Sequence, residues 1–367
     1  METSHTKIAV IGTGLVGATY AYTAVVQGLA SEVCLIDVDQ DKARGHALDL
    51  AHTAALGQRC DVWAGTIEDA SGADVVMISA GFNQKPGQTR LDLISQNAEI
   101  VGDIAREVGK LAPSAVLLVT TNPVDVMAYV VMKESGAWPS RVIGSGTALD
   151  TVRLRFLIGE RLGVDPRSVH AFVLGEHGDS EVVAWSRAQV AGTPLGDWPQ
   201  IDEFDRQSIE DDVRNSAYQV IRLKGATYYA IALTLAKITE AILKDSRTVF
   251  SVSAYLEGEY GISGVYLGVP AVIGRSGVLE TIETPLSPEE LSALRESAEV
   301  VRRATRSLEL EASRGQLDQA ETRSPARAFA MHEASAEPEV PPRQQGRESG
   351  RGGPQKPFKR PRPPRPL

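Results

Sequence analysis

Lys7-Ile8-Ala9-Val10-Ile11-Gly12-Thr13-Gly14-Leu15-Val16-Gly17 reads as a short apolar strand, a glycine-rich turn and the opening of a helix. In a G-x-G-x-x-G at such a junction, Gly12 permits a tight turn and Gly14 lets the backbone approach a pyrophosphate. Gly17 lets the helix pack closely on its strand. The helix N-terminus then faces the anionic phosphates. Asp37 stands twenty positions past Gly17, just after a second apolar run, Glu32 to Ile36. A carboxylate there accepts hydrogen bonds from an adenosine ribose and repels a 2′-phosphate, so the two motifs together predict NAD rather than NADP.

Outward from this turn the pattern repeats. Ile8 to Ile11, Val33 to Ile36, Val75 to Ile78 and Val116 to Val119 are apolar runs of the kind buried parallel strands show. Helical stretches near 15–27, 41–53 and 91–111 lie between them. Repeated strand–helix units predict an α/β fold, a Rossmann doubly wound parallel sheet with helices on both faces, over residues 1–146. Residues 147–314 predict an α+β substrate or catalytic domain. Its helices lie near 150–162, 202–221 and 226–243, and its strands near 169–174, 248–256 and 264–273, the last two forming a meander. Ser287-Pro288-Glu289-Glu290 starts a final helix with an N-cap Ser, a Pro at the first position and a capping-box Glu. Beyond Gly315 the periodicity ends. Residues 315–367, rich in Pro, Arg, Gln, Glu and Gly, read as a disordered basic tail.

The chain has 367 residues, enough for two domains and a large core, and its 43% hydrophobic and 23% charged content is ordinary for a soluble enzyme. No apolar run approaches the ~18 residues a membrane span needs, and the polar start at Met1 to Thr6 predicts no signal peptide. Cys34 and Cys60 form neither a disulfide framework nor a metal-ligand spacing, so no metal is expected and both read as small buried hydrophobes. These features predict a cytoplasmic location. Net charge is -9, yet the stretch from Val340 to Leu367 carries +7, leaving -16 on residues 1–339. A body so acidic is not expected to bind nucleic acid.

Four further stretches carry chemistry. Phe82-Asn83-Gln84-Lys85-Pro86-Gly87-Gln88-Thr89-Arg90-Leu91 is a polar segment after an apolar strand, where ligands of α/β sheets bind. Thr120-Thr121-Asn122-Pro123 puts Asn122 at the carboxyl end of another strand. Asp150 and Arg153 fall three apart and so share a helix face. Leu174-Gly175-Glu176-His177-Gly178-Asp179-Ser180 sets one histidine in a glycine-flanked turn after a strand. Singly, each has an ordinary structural explanation; in this order, all four together do not.

Gly12-x-Gly-x-x-Gly17, Asn83-Gln84-Lys85-Pro86-Gly87, Thr121-Asn122-Pro123, Asp150-x-x-Arg153 and Gly175-Glu176-His177-Gly178-Asp179 occur in the order and spacing of the L-lactate/malate dehydrogenase family. The chain resembles that family over roughly residues 6–312, and the tail lies outside the likeness. The resemblance implies hydride transfer between NAD and a 2-hydroxy acid, with His177 as proton donor and acceptor. Asp150 would fix the imidazole tautomer, Arg153 would grip the substrate carboxylate with two hydrogen bonds, and Arg90 would polarise the carbonyl. Asn122 would bond the substrate oxygen and Thr227 would line the pocket. Candidate cofactor contacts are Gly12, Gly14, Leu15, Val16, Gly17, Asp37, Lys42, Ala80, Gly81, Thr120 and Asn122. Residues 81–91 would form a closing lid.

Gln84 sorts the substrate. Family members acting on oxaloacetate and malate usually carry arginine there, because a second substrate carboxylate needs a second cation. A neutral glutamine suits the methyl group of pyruvate, so the expectation is reduction of pyruvate to L-lactate. The alternatives are a malate or broader 2-hydroxy-acid dehydrogenase, with Phe82 bearing on pocket size, and, more remotely, a non-catalytic structural or RNA-associated protein. Arg155 lies ~200° around the helix from Arg153. In bacterial members the residues matching Arg155 and His170 bind fructose 1,6-bisphosphate at a subunit interface, so the resemblance also implies that effector and a homotetramer.

Overall fold

The computed structural model describes residues 5–57, 59–82 and 90–322. The chain divides into two units, Met1–Ala312 and Ser313–Leu367, and the core and site belong to the first. Six strands, β1 (Lys7–Ile11), β2 (Glu32–Ile36), β3 (Asp61–Gly65), β4 (Val75–Ile78), β5 (Val116–Val119) and β6 (Val142–Gly144), pair in parallel in the order 6-5-4-1-2-3. Helices α1 (Leu15–Val26), α2 (Gln40–His52), α3 (Arg90–Leu111) and α4 (Val124–Ser135) connect them. The order reverses between β1 and β4, which opens a crevice at the strands' carboxyl ends.

The second half adds α5 (Ala148–Leu162), then the short strands β7 (Val169–His170), β8 (Val173–Leu174), β9 (Val182–Val183), β10 (Gln189–Val190) and β11 (Thr193–Pro194). After α6 (Glu203–Lys224) and α7 (Tyr229–Lys244) come β12 (Thr248–Glu257), β13 (Ser263–Gly274), β14 (Gly277–Thr281) and α8 (Pro288–Thr322). The expected meander is present as antiparallel β12–β13–β14. Sequence patterning did not reveal that β12 also pairs antiparallel with β6 through Ser253 and Gly144. Nine strands from both halves thereby form one sheet.

Alternation along the parallel strands sends side chains to two cores. Ala9, Ile11, Val76, Ile78, Leu117 and Val119 face a layer formed by α3, α4 and α8. Ile8, Val10, Val75, Met77, Val116 and Leu118 face α1, α2 and α7. A third, smaller core joins α5 and α6 to the short strands.

Two expectations need correction. The strand expected over 169–174 is broken at Ala171 and Phe172, because neighbouring elements take its backbone groups. Arg155 donates to the Ala171 carbonyl at 3.0 Å, Ala184 N–H to that of Phe172 at 3.0 Å, and Val173 N–H donates to Thr151 Oγ1 at 3.0 Å. The last helix starts as expected, with Ser287 and Glu290 bonded reciprocally at 3.0 and 3.2 Å. Its bounds reach Thr322, however, so residues 315–322 are helical where an irregular tail was expected. Leu, Gln, Ala and Glu in that stretch are good helix formers, and extending an existing helix avoids a new nucleus. Residues 323–367 lie outside the described residues.

Candidate active site

The glycine turn has the geometry its sequence requires. Gly12 has φ +95°, and a Cβ there would stand 2.6 Å from Ala80 N. A Cβ on Gly17 would collide with the Gly12 carbonyl oxygen at 1.9 Å, so α1 can lie this close to β1 only without a side chain. Gly14 differs from both: a Cβ there meets nothing within 4 Å, so its side faces open space. Gly14 is also the N-cap of α1, extended and without a side-chain cap bond. An exposed helix N-terminus beside open space is the form of a phosphate cradle. Leu15 is exposed there, and Val16 is half-buried.

Asp37 stands just beyond β2. Its Oδ2 accepts from Thr13 N at 2.6 Å and Thr13 Oγ1 at 2.8 Å, its Oδ1 accepts from Asp39 N at 3.0 Å, and Lys42 Nζ lies 3.4 Å away. Burial pushes its carboxyl up, but these bonds outweigh that and hold it below the usual range. The carboxylate is therefore ionised and pinned beside the glycine turn. On the other side, Thr121 Oγ1 donates to the Ala80 carbonyl at 2.7 Å, and Thr120 N bonds the Ile78 carbonyl at 2.9 Å. Gly81 follows with φ +153°. These residues fit a dinucleotide.

The reaction centre lies at a cavity of about 300 Å³ lined by Asn122, Asp150, Arg153 and His177. Asp150 is almost fully buried in the first turn of α5. Its Oδ2 meets His177 Nδ1 at 2.6 Å, and its Oδ1 accepts from Arg153 Nη1 at 2.9 Å. Burial raises the Asp150 carboxyl, yet the two cationic partners hold it below its ordinary value. The Asp150 charge in turn raises His177 to about 9 against the opposing pull of burial, so the ring carries a proton at neutral pH.

Side chains that sequence reasoning missed build the frame. Asp125 of α4 accepts the His177 backbone N–H at 2.9 Å and the Ser253 hydroxyl at 2.5 Å. Burial raises Asp125 to about 6, against the Ser253 and His177 hydrogen bonds and the His177 charge, which pull it down. Asn97 of α3, fully buried, accepts from Phe82 N at 2.7 Å and donates to the Phe82 carbonyl at 3.1 Å and the Asn122 carbonyl at 2.9 Å. Ser297 of α8 accepts Glu176 N–H at 2.8 Å and so supports the histidine turn from below. Glu181 also lines the cavity, with Val213, Arg214, Ala217 and Tyr218 of α6.

Of the remaining sequence candidates, Thr227 is half-buried between α6 and α7 and is not part of this cavity lining. Arg90 is the first residue of α3, but its side chain lies outside the described residues, as do Gln84 and the rest of 83–89. Arg155 points away from the cavity, bonded to Ala171 and stacked 5.2 Å from the Phe172 ring, and His170 is exposed in β7. Among the described residues no cluster of three or more His, Cys, Asp or Glu could hold a metal, and no helix is long and apolar enough to cross a membrane.

The family pattern described as lactate/malate dehydrogenase, NAD binding domain, matches residues 6–144, and that described as the alpha/beta C-terminal domain matches residues 147–309. The chain belongs to the lactate/malate dehydrogenase family. Within that family it is 46% identical over 309 residues to L-lactate dehydrogenase 1 of Clostridium acetobutylicum, covering 83% of this chain and 99% of that one. It is also 46% identical over 300 residues to the L-lactate dehydrogenase of Priestia megaterium, covering 81% and 94%. The ligand-bound crystal structure of minor L-lactate dehydrogenase from Enterococcus mundtii superposes with a TM-score of 0.81 at 44% identity, covering 83% of this chain and 98% of that one. The first half is thus the NAD-binding domain of a lactate/malate dehydrogenase, and the crevice above it is that of an oxidoreductase.

Proposed function

We propose that the chain catalyses the reversible NADH-dependent reduction of pyruvate to L-lactate. The observation that carries this reading is the His177–Asp150–Arg153 chain of contacts at 2.6 and 2.9 Å, at a cavity that Asn122 also lines. The relatives named L-lactate dehydrogenase support the choice of substrate. Gly12, Gly14, Leu15, Val16, Gly17, Asp37, Lys42, Ala80, Gly81, Thr120 and Asn122 hold the cofactor, which when bound supplies the hydride.

His177 supplies the proton. With Nδ1 engaged by Asp150, Nε2 is the nitrogen left to protonate the carbonyl oxygen, and the ring, raised to about 9, holds that proton at neutral pH. One hydride and one proton add across the carbonyl, and His177 is left neutral until solvent returns its proton. In the reverse direction neutral His177 accepts the hydroxyl proton. Asp150 fixes the tautomer and stabilises the imidazolium. Arg153 grips the substrate carboxylate while tied to Asp150, so acid–base group and substrate anchor share one rigid helix. Asn122 bonds the substrate oxygen, Arg90 polarises it, and the neutral Gln84 favours a methyl group over a second carboxylate.

NADH oxidation with pyruvate and with oxaloacetate tests the assignment. Pyruvate is expected to give the higher kcat/KM, and a preference for oxaloacetate would replace the reading with malate dehydrogenase. A second element of the proposal is a cytoplasmic homotetramer activated by fructose 1,6-bisphosphate at Arg155 and His170. The exposed His170, and an Arg155 that lines no part of the reaction cavity, favour it. Repeating the assay with the bisphosphate, on wild type and on Arg155→Gln, tests that element, and an unstimulated wild type removes it.

A further inference from the structure

Glu181 is a buried acid for which the mechanism above has no use. It follows His177 by four residues, in a turn closed by the Glu181 N–H to Gly178 carbonyl bond at 3.3 Å. It is 6% exposed, and its Oε1 is buried with no hydrogen-bond partner among the described residues. It lines the 300 Å³ cavity together with His177, and it also lines a second cavity of about 650 Å³ on the α8 side. Buried carboxyl oxygens are ordinarily paired, so an unpaired one in the wall of a reaction cavity calls for an explanation.

We propose that Glu181 is a positioning residue for the His177 proton: its carboxylate, buried in the wall of the same cavity, adds to the hold on that proton and so raises the pH at which His177 stops donating it and starts accepting one. The inference rests on the proton-transfer role of His177 proposed above. Asp150 is ionised throughout the working range and gives a constant bias. Glu181 is different, because burial first and the Asp150 charge second raise it to about 8, against the pull of His177, Arg214 and Arg153. It therefore gains its charge in the alkaline range where His177 releases its proton, and the Glu181 charge is one of the groups that raise His177 to about 9. The new negative charge favours the imidazolium and holds the proton on the ring to higher pH.

Other charged groups around the pair come from every neighbouring element. Asp150 and Arg153 lie on α5, Asp125 on α4 and Arg214 on α6, Glu176 and Asp179 belong to the same turn as the pair, and Glu296, Glu299 and Arg303 of α8 line the second cavity. Of the site groups whose direction is resolved, Asp125 ionises near 6 and Asp150 lower still, so neither changes charge between 7 and 9. Glu181 does.

The test is the pH profile of kcat/KM for pyruvate reduction and for lactate oxidation in wild type, Glu181→Gln and Glu181→Asp. In the glutamine variant the alkaline limb of reduction and the acid limb of oxidation should both move down by about half a unit or more, and Glu181→Asp should restore them. Limbs that overlay those of wild type, with activity lowered equally at all pH, would mean a purely structural role and overturn the inference. Glu181→Ser, which leaves room for water, serves if the glutamine variant does not fold. The His177 imidazole proton, assigned by its absence in His177→Asn and titrated by NMR, should show the same downward shift without turnover. A wild type inactive on pyruvate would overturn the proposed function, whereas an active wild type with an unmoved His177 titration in the variant would overturn this inference alone.

Discussion

Asp150→Asn isolates what the buried carboxylate does for the histidine. The substitution keeps the size of a side chain that is almost fully buried and removes the charge 2.6 Å from His177 Nδ1. That charge is the largest cause of the rise of His177 from 6.5 to about 9, and burial acts against it. Without it the ring should fall back to 6.5 or below, a loss of at least 2.5 units, or about 3 kcal/mol of imidazolium stabilisation at 1.36 kcal/mol per unit. At pH 7.5 the protonated fraction drops roughly tenfold. Loss of the fixed tautomer adds to this, for a total fall in pyruvate kcat/KM of about 10² to 10⁴. The decisive measurement is the alkaline limb of the profile, expected to move from near 9 to 6.5 or lower. A variant that is slower at every pH, with its limb unmoved, would refute the electrostatic argument and leave Asp150 a packing residue.

Other perturbations separate fold from site. Gly17→Ala drives a methyl into the Gly12 carbonyl and should lower Tm by several degrees, as overpacking of about 1–3 kcal/mol does. Gly14→Ala meets only open space, so it should leave Tm unchanged while weakening NADH about tenfold or more by titration; equal effects from the two variants would contradict the phosphate-cradle reading. Asp37→Ser removes the carboxylate bonded to Thr13 and should raise the NADPH-to-NADH ratio of kcat/KM by about tenfold or more, a ratio that paired steady-state assays read directly. Gln84→Arg should move preference from pyruvate toward oxaloacetate, and an unchanged ratio for the two acids would remove Gln84 from the specificity argument.

The parts of this molecule that were legible in the sequence are those whose signal is local. The strand–turn–helix at Lys7 to Gly17 needs only adjacent residues, and so does the Ser287/Glu290 capping box. Asp150 and Arg153 are neighbours on any helix, and their bond was readable from spacing alone. The second-half strands were legible as strands but not as members of the main sheet, because the β6–β12 pairing joins residues more than a hundred positions apart. β6 itself is three residues long, too short for periodicity to register. Asp125 and Asn97 were missed because their partners, Ser253 and Phe82, are brought near only by the folded chain. Glu181 stands four residues from His177 and was missed because its burial is not written in the sequence. A buried carboxylate and a solvated one look identical in sequence.

Burial also links the site to the stability of the whole chain, with a sign that the three raised groups share. Asp125 at about 6, Glu181 at about 8 and His177 at about 9 each bind their proton more tightly in the folded chain than in the unfolded one. For His177 the contribution is complete below 6.5 and lost as pH rises through 9; its side chain is 26% exposed and the shift corresponds to about 3 kcal/mol at most. Raised carboxyls act in the same direction, because folding favours their neutral forms, so their support disappears between their unfolded values and about 6 and 8. Asp150 opposes them, as Asp37 does, since a lowered carboxyl stabilises the fold above its unfolded pKa and loses that effect only on strong acidification. Between pH 6.5 and 9.5 the NAD-free protein should therefore lose stability steadily. Denaturant midpoints across that range should decline in wild type and decline less in His177→Asn. Identical slopes would mean that the histidine proton is not held by the fold, and the pH argument for its catalytic role would go with it.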